Sequence, residues 1–270
     1  QRNSRKNKDL RLGSSMTFST IYGMSAIRCP CLWTSRPNMK SSAKTSASAS
    51  KAPNRSRFER RIAIVAPKHD NLRGENVIST IGSVHGISQV KIQLAAKRFK
   101  QMYETLPRPL IGLLLGGSNK QFRMTAAQGS QLGQLLVRGV KESGAGLAIT
   151  PSRRTQKDLI SALTCSLQEV NFRIWDGKGD NPYLGILALS DGFVVTSDSV
   201  NMISEAAATG KPVHVFELDG GSPKFDRFHD QMREAGATRP FLGKFENWRY
   251  SPPNDQNKIV KEIKRRISFD

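Results

Sequence analysis

Acidic side chains are scarce here: 22 Asp and Glu stand against 42 Lys and Arg in 270 residues, a formal net charge of +20. Cysteine is scarcer still, with three residues, which excludes a disulfide framework and points to a reducing compartment. Cys29-Pro30-Cys31 would be half a metal site, but no further Cys or His pair follows at ligand spacing, so no metal is expected. No apolar run approaches the ~20 residues of a membrane-spanning helix. The phosphate-binding signatures are missing as well: no Gly-rich turn ends in GK[ST], and none reads G-x-G-x-x-G.

What is present divides unevenly. Residues 1–60 carry 13 Lys and Arg against Asp9 and Glu59, a net +11, together with 12 serines and few aliphatic residues. Such a segment cannot bury enough apolar surface to offset its ordering entropy, so it reads as a disordered basic, Ser-rich tail. The composition is also that of an organelle transit peptide. The chain begins with Gln, which suits a fragment or a processed product. A basic tail can hold nucleic acid non-specifically, but no motif that reads RNA or DNA accompanies it, and no specific nucleic acid is expected.

From Arg61 the pattern changes. Ile62–Ala66 is a predicted strand with His69 and Asp70 just past its end, Asn71–Ser88 a long irregular connection, and Ser88 the cap of a helix reaching about Thr105. Leu106-Pro107-Arg108-Pro109 breaks that helix and marks a boundary. The expected organisation is therefore 1–60 tail, 61–107 remnant of an N-terminal α/β domain plus linker, and 108–270 a nucleotide-binding domain. In the last, strands are predicted at Leu110–Leu115, Gly146–Thr150, Asn171–Trp175, Gly192–Val195 and Pro212–Glu217. Helices intervene over 125–143, 155–167, 182–189 and 198–209, and follow at 223–235 and 255–267. Strands alternating with helices predict an α/β, doubly wound, Rossmann-like parallel sheet.

The segment the rest is arranged around is Thr196–Pro212, TSDSVNMISEAAATGKP. It follows a β-branched strand, and Asp198 or Ser199 is suited to cap a helix whose Val200, Ile203 and Ala207 face the core. That places Ser197, Asp198 and Ser199 at the carboxyl edge of the sheet, where open α/β sheets bind ligands and helix N-termini meet anions. The other strand ends bring Gly116, Gly117, Ser118, Lys120 and Arg123, then Ser152, Arg153 and Arg154, then Ser222 and Lys224 to the same edge. Arg, Lys and a helix start together suit a diphosphate. Glu205 suits a vicinal diol, since a carboxylate accepts from two adjacent hydroxyls. Each group has a plainer role open to it. Gly116-Gly117 is equally a tight turn, Arg153 and Arg154 solvated charges, and Glu205 a partner for a nearby cation. His214 falls inside a strand and reads as structural, whereas His69 falls at a strand end beside the expected cleft, with Asp70 next to it.

The segments PKHDNLRGENVISTIGSVHGIS, LGGSNKQFRMT, TPSRRT, WDGKGDNPYLGILALSD, TSDSVNMISEAAATGKPVHVFEL, GGSPKFDRFHDQM and ATRPF resemble the mitochondrial-fission, or elongated-mitochondria, family over about Ile62–Ile267. The resemblance implies a fold like the C-terminal half of a GT-B glycosyltransferase. It implies that Glu205 is the nucleotide-sugar-binding glutamate and that Gly117, Ser118, Ser152, Arg153, Ser199 and Met202 line its pocket. Family members carry a further α/β segment before the strand at Ile62–Ala66, which residues 1–60 do not resemble. The N-terminal domain is thus expected to be incomplete, with a sheet edge exposed near Ile62–Ala66.

Two readings of function follow. One is a metal-independent, glycosyltransferase-like protein whose donor substrate is a nucleotide-diphosphate sugar, with no cofactor, an incomplete active site, and His69 or Asp70 as the base. The other is a non-catalytic adaptor in mitochondrial division that recruits an organelle-division protein. The expected location is the cytoplasm, or the mitochondrion in a eukaryote.

Overall fold

A computed structural model describes residues 18–21, 24–27, 63–253 and 255–267. Two short strands, β1 (Phe18–Ile21) and β2 (Met24–Ile27), lie within the segment read as a tail; the rest of 1–60, with Cys29 and Cys31, is outside the described residues. They are followed by β3 (Ala63–Pro67) and β4 (Val77–Thr80), which complete a sheet ordered β1-β2-β3-β4. β3 and β4 are parallel and β2 joins β3 antiparallel, so the edge expected to be exposed near Ala63 is paired. β4 falls inside the stretch read as an irregular connection. Its four residues alternate inward and outward, too short a signal among the surrounding glycines to stand out.

Helix α1 (Gln89–Tyr103) begins at Ser88, whose Oγ accepts from Lys91 N–H, and leads into the second sheet. Its elements are β5 (Leu110–Leu115), the two-residue β6 (Phe122–Arg123), α2 (Ala126–Ser143), β7 (Gly146–Pro151), α3 (Lys157–Ser166), β8 (Phe172–Ile174), α4 (Tyr183–Leu189), β9 (Gly192–Thr196), α5 (Val200–Ala207), β10 (Val213–Phe216), the two-residue β11 (Asp219–Gly220), α6 (Pro223–Glu234) and β12 (Thr238–Pro240). Six of these strands form one parallel sheet, ordered β12-β10-β9-β5-β7-β8. The chain steps outward from β5 to β8, returns to β9 on the other side of β5, and steps outward again. This is the doubly wound order, with its switch point between β5 and β9. β12 was not foreseen: Ala237-Thr238-Arg239-Pro240 is short and polar, yet its backbone completes the sheet edge beside β10. β6 and β11 pair as a separate antiparallel ribbon beyond the strand ends.

Both faces of the sheet are covered, which is why its strands read as continuous apolar runs. Leu110, Leu114, Phe193, Val195, Val213 and Val215 pack against α1, α4, α5 and α6. Ile111, Leu113, Leu115, Leu147, Ile149 and Val194 pack against α2 and α3. Asp191 ties the central strands β5 and β9 together at their starts: its carboxylate accepts from Leu110 N–H at 2.7 Å and from the Arg108 guanidinium at 2.9 Å.

The chain then turns back. In α7 (Gln256–Ile267), Ile259 and Ile263 meet Ala63, Val65 and Ile78 of the first sheet. Asp255 accepts from Ile81 N–H and Gln256 donates to the His85 carbonyl, which holds the start of α7 on the loop after β4. This third core is small, so one side chain matters. Ile259→Ala is expected to cost about 2 kcal/mol. Urea unfolding measures the loss, and faster cleavage of residues beyond Tyr250 under limited proteolysis locates it.

Candidate functional site

The carboxyl ends of β5, β7 and β9 converge on one buried carboxylate. Asp198, its side chain fully buried, accepts from Gly117 N–H at 2.9 Å and from the Thr196 hydroxyl at 2.7 Å, and lies 3.3 Å from the Arg154 guanidinium. Thr196 Oγ1 in turn accepts from Gly116 N–H at 2.8 Å. Ser152 donates its hydroxyl to Gly116 O at 2.9 Å, and Thr155 bonds to the same carbonyl. Three loops are thereby laced into one surface. Asp198 was expected to cap α5 or meet a ligand. Instead it is turned back onto Gly117, because the buried charge is stabilised there by three partners at once. Thr155 likewise does not cap α3, which starts at Lys157 with no side-chain cap, because its hydroxyl is spent on Ser152 N–H and Gly116 O.

The glycines follow from this lacing. A Cβ at Gly116 would fall on the Asp198 carboxylate, and one at Gly117 on the backbone of Arg154. The room they leave is therefore filled by the protein itself, where the sequence had suggested the close approach of a ligand. Ser118 is also engaged, its Oγ accepting from Met124 N–H at 3.0 Å. Ser197 is buried, its Oγ accepting from Leu218 N–H at 3.0 Å and its carbonyl accepting from His229 Nε2 at 2.9 Å. His229 reads from the sequence as a structural histidine; its place on α6 gives no sign that it reaches the β9 loop.

What stays open is the start of α5. Ser199 is the N-cap residue but makes no side-chain cap bond, so the first N–H groups of α5 face the strand-end surface uncapped. Ser222 likewise makes no cap bond at α6, although Pro223 at the first position has no N–H to offer. The start of α2, by contrast, is closed: Thr125 accepts from Gln128 N–H and the Gln128 side chain accepts from Thr125 N–H. Arg153, Lys120 and Arg123 are exposed, and Arg153 makes no hydrogen bond or ion pair among the described residues. Met202 packs on the apolar cluster behind α5. Glu205, further along α5, is partly buried and accepts from the Tyr183 hydroxyl; burial raises its carboxyl above the usual range and Tyr183 pulls it back.

His69, Asp70 and Lys224 belong to a different place. His69 and Asp70 form a short 3-10 turn after β3 that docks on α6. His69 is 2% exposed, packs edge-on against Phe228, and accepts from the Arg227 guanidinium through its carbonyl. Burial lowers its imidazole to about 4. Asp70 holds Lys224 Nζ at 2.5 Å. The expectation of a cleft-facing base at His69 or Asp70, and of Lys224 as a phosphate ligand, is corrected: all three are consumed in joining the first sheet to α6. His214 is structural as expected, Nδ1 donating to Phe193 O at 3.2 Å and Nε2 accepting from Glu246 N–H at 3.0 Å.

A cavity of about 470 Å³ lies elsewhere, between the loop after β4, the ends of α4 and α5, and the start of α7. A second, of about 310 Å³, separates α1 from the start of α4. Neither is lined by a residue of the strand-end surface. No group of three or more His, Cys, Asp or Glu among the described residues could hold a metal ion, and no described helix is long and apolar enough to cross a membrane.

Fold and site together define a doubly wound α/β protein with a polar, cation-bearing surface at its switch point. The profile of the family described as "Mitochondrial fission ELM1" matches residues 38–267, and the chain belongs to that family. It is 34% identical over 198 residues to the mitochondrial fission protein ELM1 of Arabidopsis thaliana, which covers 72% of this chain and 46% of that one. It is 27% identical over 205 residues to the uncharacterized protein RP120 of Rickettsia prowazekii, covering 73% of this chain and 57% of that one. The chain thus spans about half the length of the curated relatives it matches. Among solved structures it is similar to MurG of Acinetobacter baumannii (12% identity, TM-score 0.43, 80% of this chain and 56% of that one). It is also similar to a UDP-GlcNAc 2-epimerase of Neisseria meningitidis (15% identity, TM-score 0.38, 73% and 57%).

Two outcomes test the site as built. Gly116→Ala must displace Asp198 from its partners and is expected to cost about 3 kcal/mol, read by urea unfolding; a neutral result overturns the lacing. The second concerns acid. An unfolded His69 takes up a proton below about 6.5, while the folded one does so only near 4. The contribution is therefore whole above pH 6.5 and is lost as the pH falls toward 4, amounting to about 3 kcal/mol at most. His69→Phe is expected to lose visibly less stability than the parent between pH 7 and 4.5. His85, His214 and His229 are also lowered by burial, so part of the acid sensitivity persists.

Proposed function

We propose that this chain binds a nucleotide-diphosphate sugar at the switch point of its second sheet, as the donor-binding part of a glycosyltransferase-like protein. The observation that carries the reading is the uncapped start of α5, with Arg154 held to the preceding Asp198 and the exposed Arg153 next to Arg154 in the same loop. Backbone N–H groups and a guanidinium are the partners a diphosphate needs, and they require no metal to neutralise charge as a sugar bond breaks. Arg154 adds a second guanidinium, held in place by Asp198. Glu205 on the same helix offers a carboxylate to a sugar hydroxyl. Lys120 and Arg123 flank the surface from the β6 ribbon, and Ser222 lies at the other open helix start. Donor binding, and not the chemical step, is assigned to these residues, since His69 and Asp70 are taken up elsewhere.

The test is a thermal-shift and calorimetric screen of the chain against UDP, GDP, ADP and their sugars. One nucleotide is expected to stabilise the protein, by about 2.7 kcal/mol at 100 times its dissociation constant. Arg153→Ala and Glu205→Ala are each expected to weaken it about tenfold. No shift with a cooperatively folding sample overturns the reading. Family membership favours a second one, in which the chain serves mitochondrial division as an adaptor for a protein partner and is located at the mitochondrion. Partner binding unaffected by both substitutions, with no nucleotide response, selects it.

A further inference from the structure

Glu205 does not stand alone on α5. Tyr183, the first residue of α4, donates its hydroxyl to Glu205 Oε2, while Glu205 Oε1 makes no hydrogen bond among the described residues. The Tyr183 ring packs on the apolar cluster shared by α1, α4 and α5, and its backbone N–H donates to Asn181 Oδ1 at 2.9 Å at the start of α4. Burial and the adjacent carboxylate both push the phenol well above its ordinary range, so it keeps its proton and remains a donor.

This arrangement changes what Glu205 can recognise. A carboxylate that grips a vicinal diol presents both oxygens in one plane to two hydroxyls. Here the phenol already occupies an acceptor site on Oε2, which leaves Oε1 as the oxygen without a protein partner among the described residues. We propose that Tyr183 is a positioning residue for Glu205 and that Glu205 consequently reads one sugar hydroxyl of the nucleotide through Oε1, rather than an adjacent pair. The inference rests on the donor-site reading above and names the contact that makes it selective. Tyr183 itself touches no substrate; it acts through Glu205.

The experiment is calorimetry on the full chain with UDP, GDP and ADP, then with the 2′-deoxy and 3′-deoxy forms of whichever binds. One deoxy form is expected to bind about tenfold more weakly and the other within about twofold of the parent, the loss of a single charge-assisted hydrogen bond. In Tyr183→Phe, where the carboxylate is free to turn, the difference between the parent and the weakened deoxy form is expected to shrink to about threefold or less, while binding of that deoxy form itself is unchanged. Equal losses for both deoxy forms overturn the single-hydroxyl contact and leave the donor site standing. A Tyr183→Phe variant that weakens the ribose and deoxyribose forms alike marks Tyr183 as merely structural and overturns its positioning role. Binding of none of the three nucleotides to a cooperatively folded chain removes the donor site and this inference with it. The deoxy pair on the unsubstituted chain decides the single-hydroxyl contact even if the variant does not fold.

Discussion

The buried carboxylate of Asp198 is the constraint on which the rest of the strand-end surface depends. An unpaired charge in that position would cost several kcal/mol, and it is tolerated only because a backbone N–H, a hydroxyl and a guanidinium all meet it. Meeting it fixes three loops in mutual register and dictates glycine at positions 116 and 117. It also withholds from α5 the cap that Asp198 would otherwise provide. A helix start left open at a switch point, beside cations, is the electrostatic feature from which the proposed anion site derives.

A second set of charged groups is used differently. The turn carrying His69 and Asp70 docks on α6 through Lys224, Arg227 and Phe228, and α7 returns to the first sheet through Ile259. Polar contacts and a small apolar patch therefore hold the first sheet to the second, whereas the second sheet is buried on both faces by helices. Acid is expected to act first on the former, where an imidazole is kept neutral by burial. The two sites are thus separate in their physics: one surface keeps its cations for solvent, and the other spends them on cohesion.

Much of the second sheet was legible in the sequence. Leu110–Leu115 is an uninterrupted apolar run, and the structure gives the strand those bounds. The helix read from Thr125 to about Ser143 is α2, and the structure adds a capping box between Thr125 and Gln128. What was not legible was short or polar. Val77–Thr80 and Thr238–Pro240 are strands because a neighbouring strand offers a ladder, not because of their own side chains. Of the candidate site, Arg153, Lys120, Arg123 and Ser199 lie in the segments that follow β7, β5 and β9, as chain order requires. The partners of Tyr183 and His229 were not legible, because each is reached from another helix.

By itself, the sequence determined the alternation of strands and helices, the parallel doubly wound sheet, and the collection of polar loops at one edge, because these depend on local periodicity and on chain topology. It also carried the resemblance to the mitochondrial-fission family. Only the tertiary structure decided which polar residues are free and which are spent. Asp198, Lys224 and His69 have the same residue types as ligand-binding groups, and nothing local distinguishes them. Their roles were set by partners far along the chain, Gly117 for Asp198, Asp70 for Lys224 and Phe228 for His69, and a group's availability is a property of what surrounds it in space.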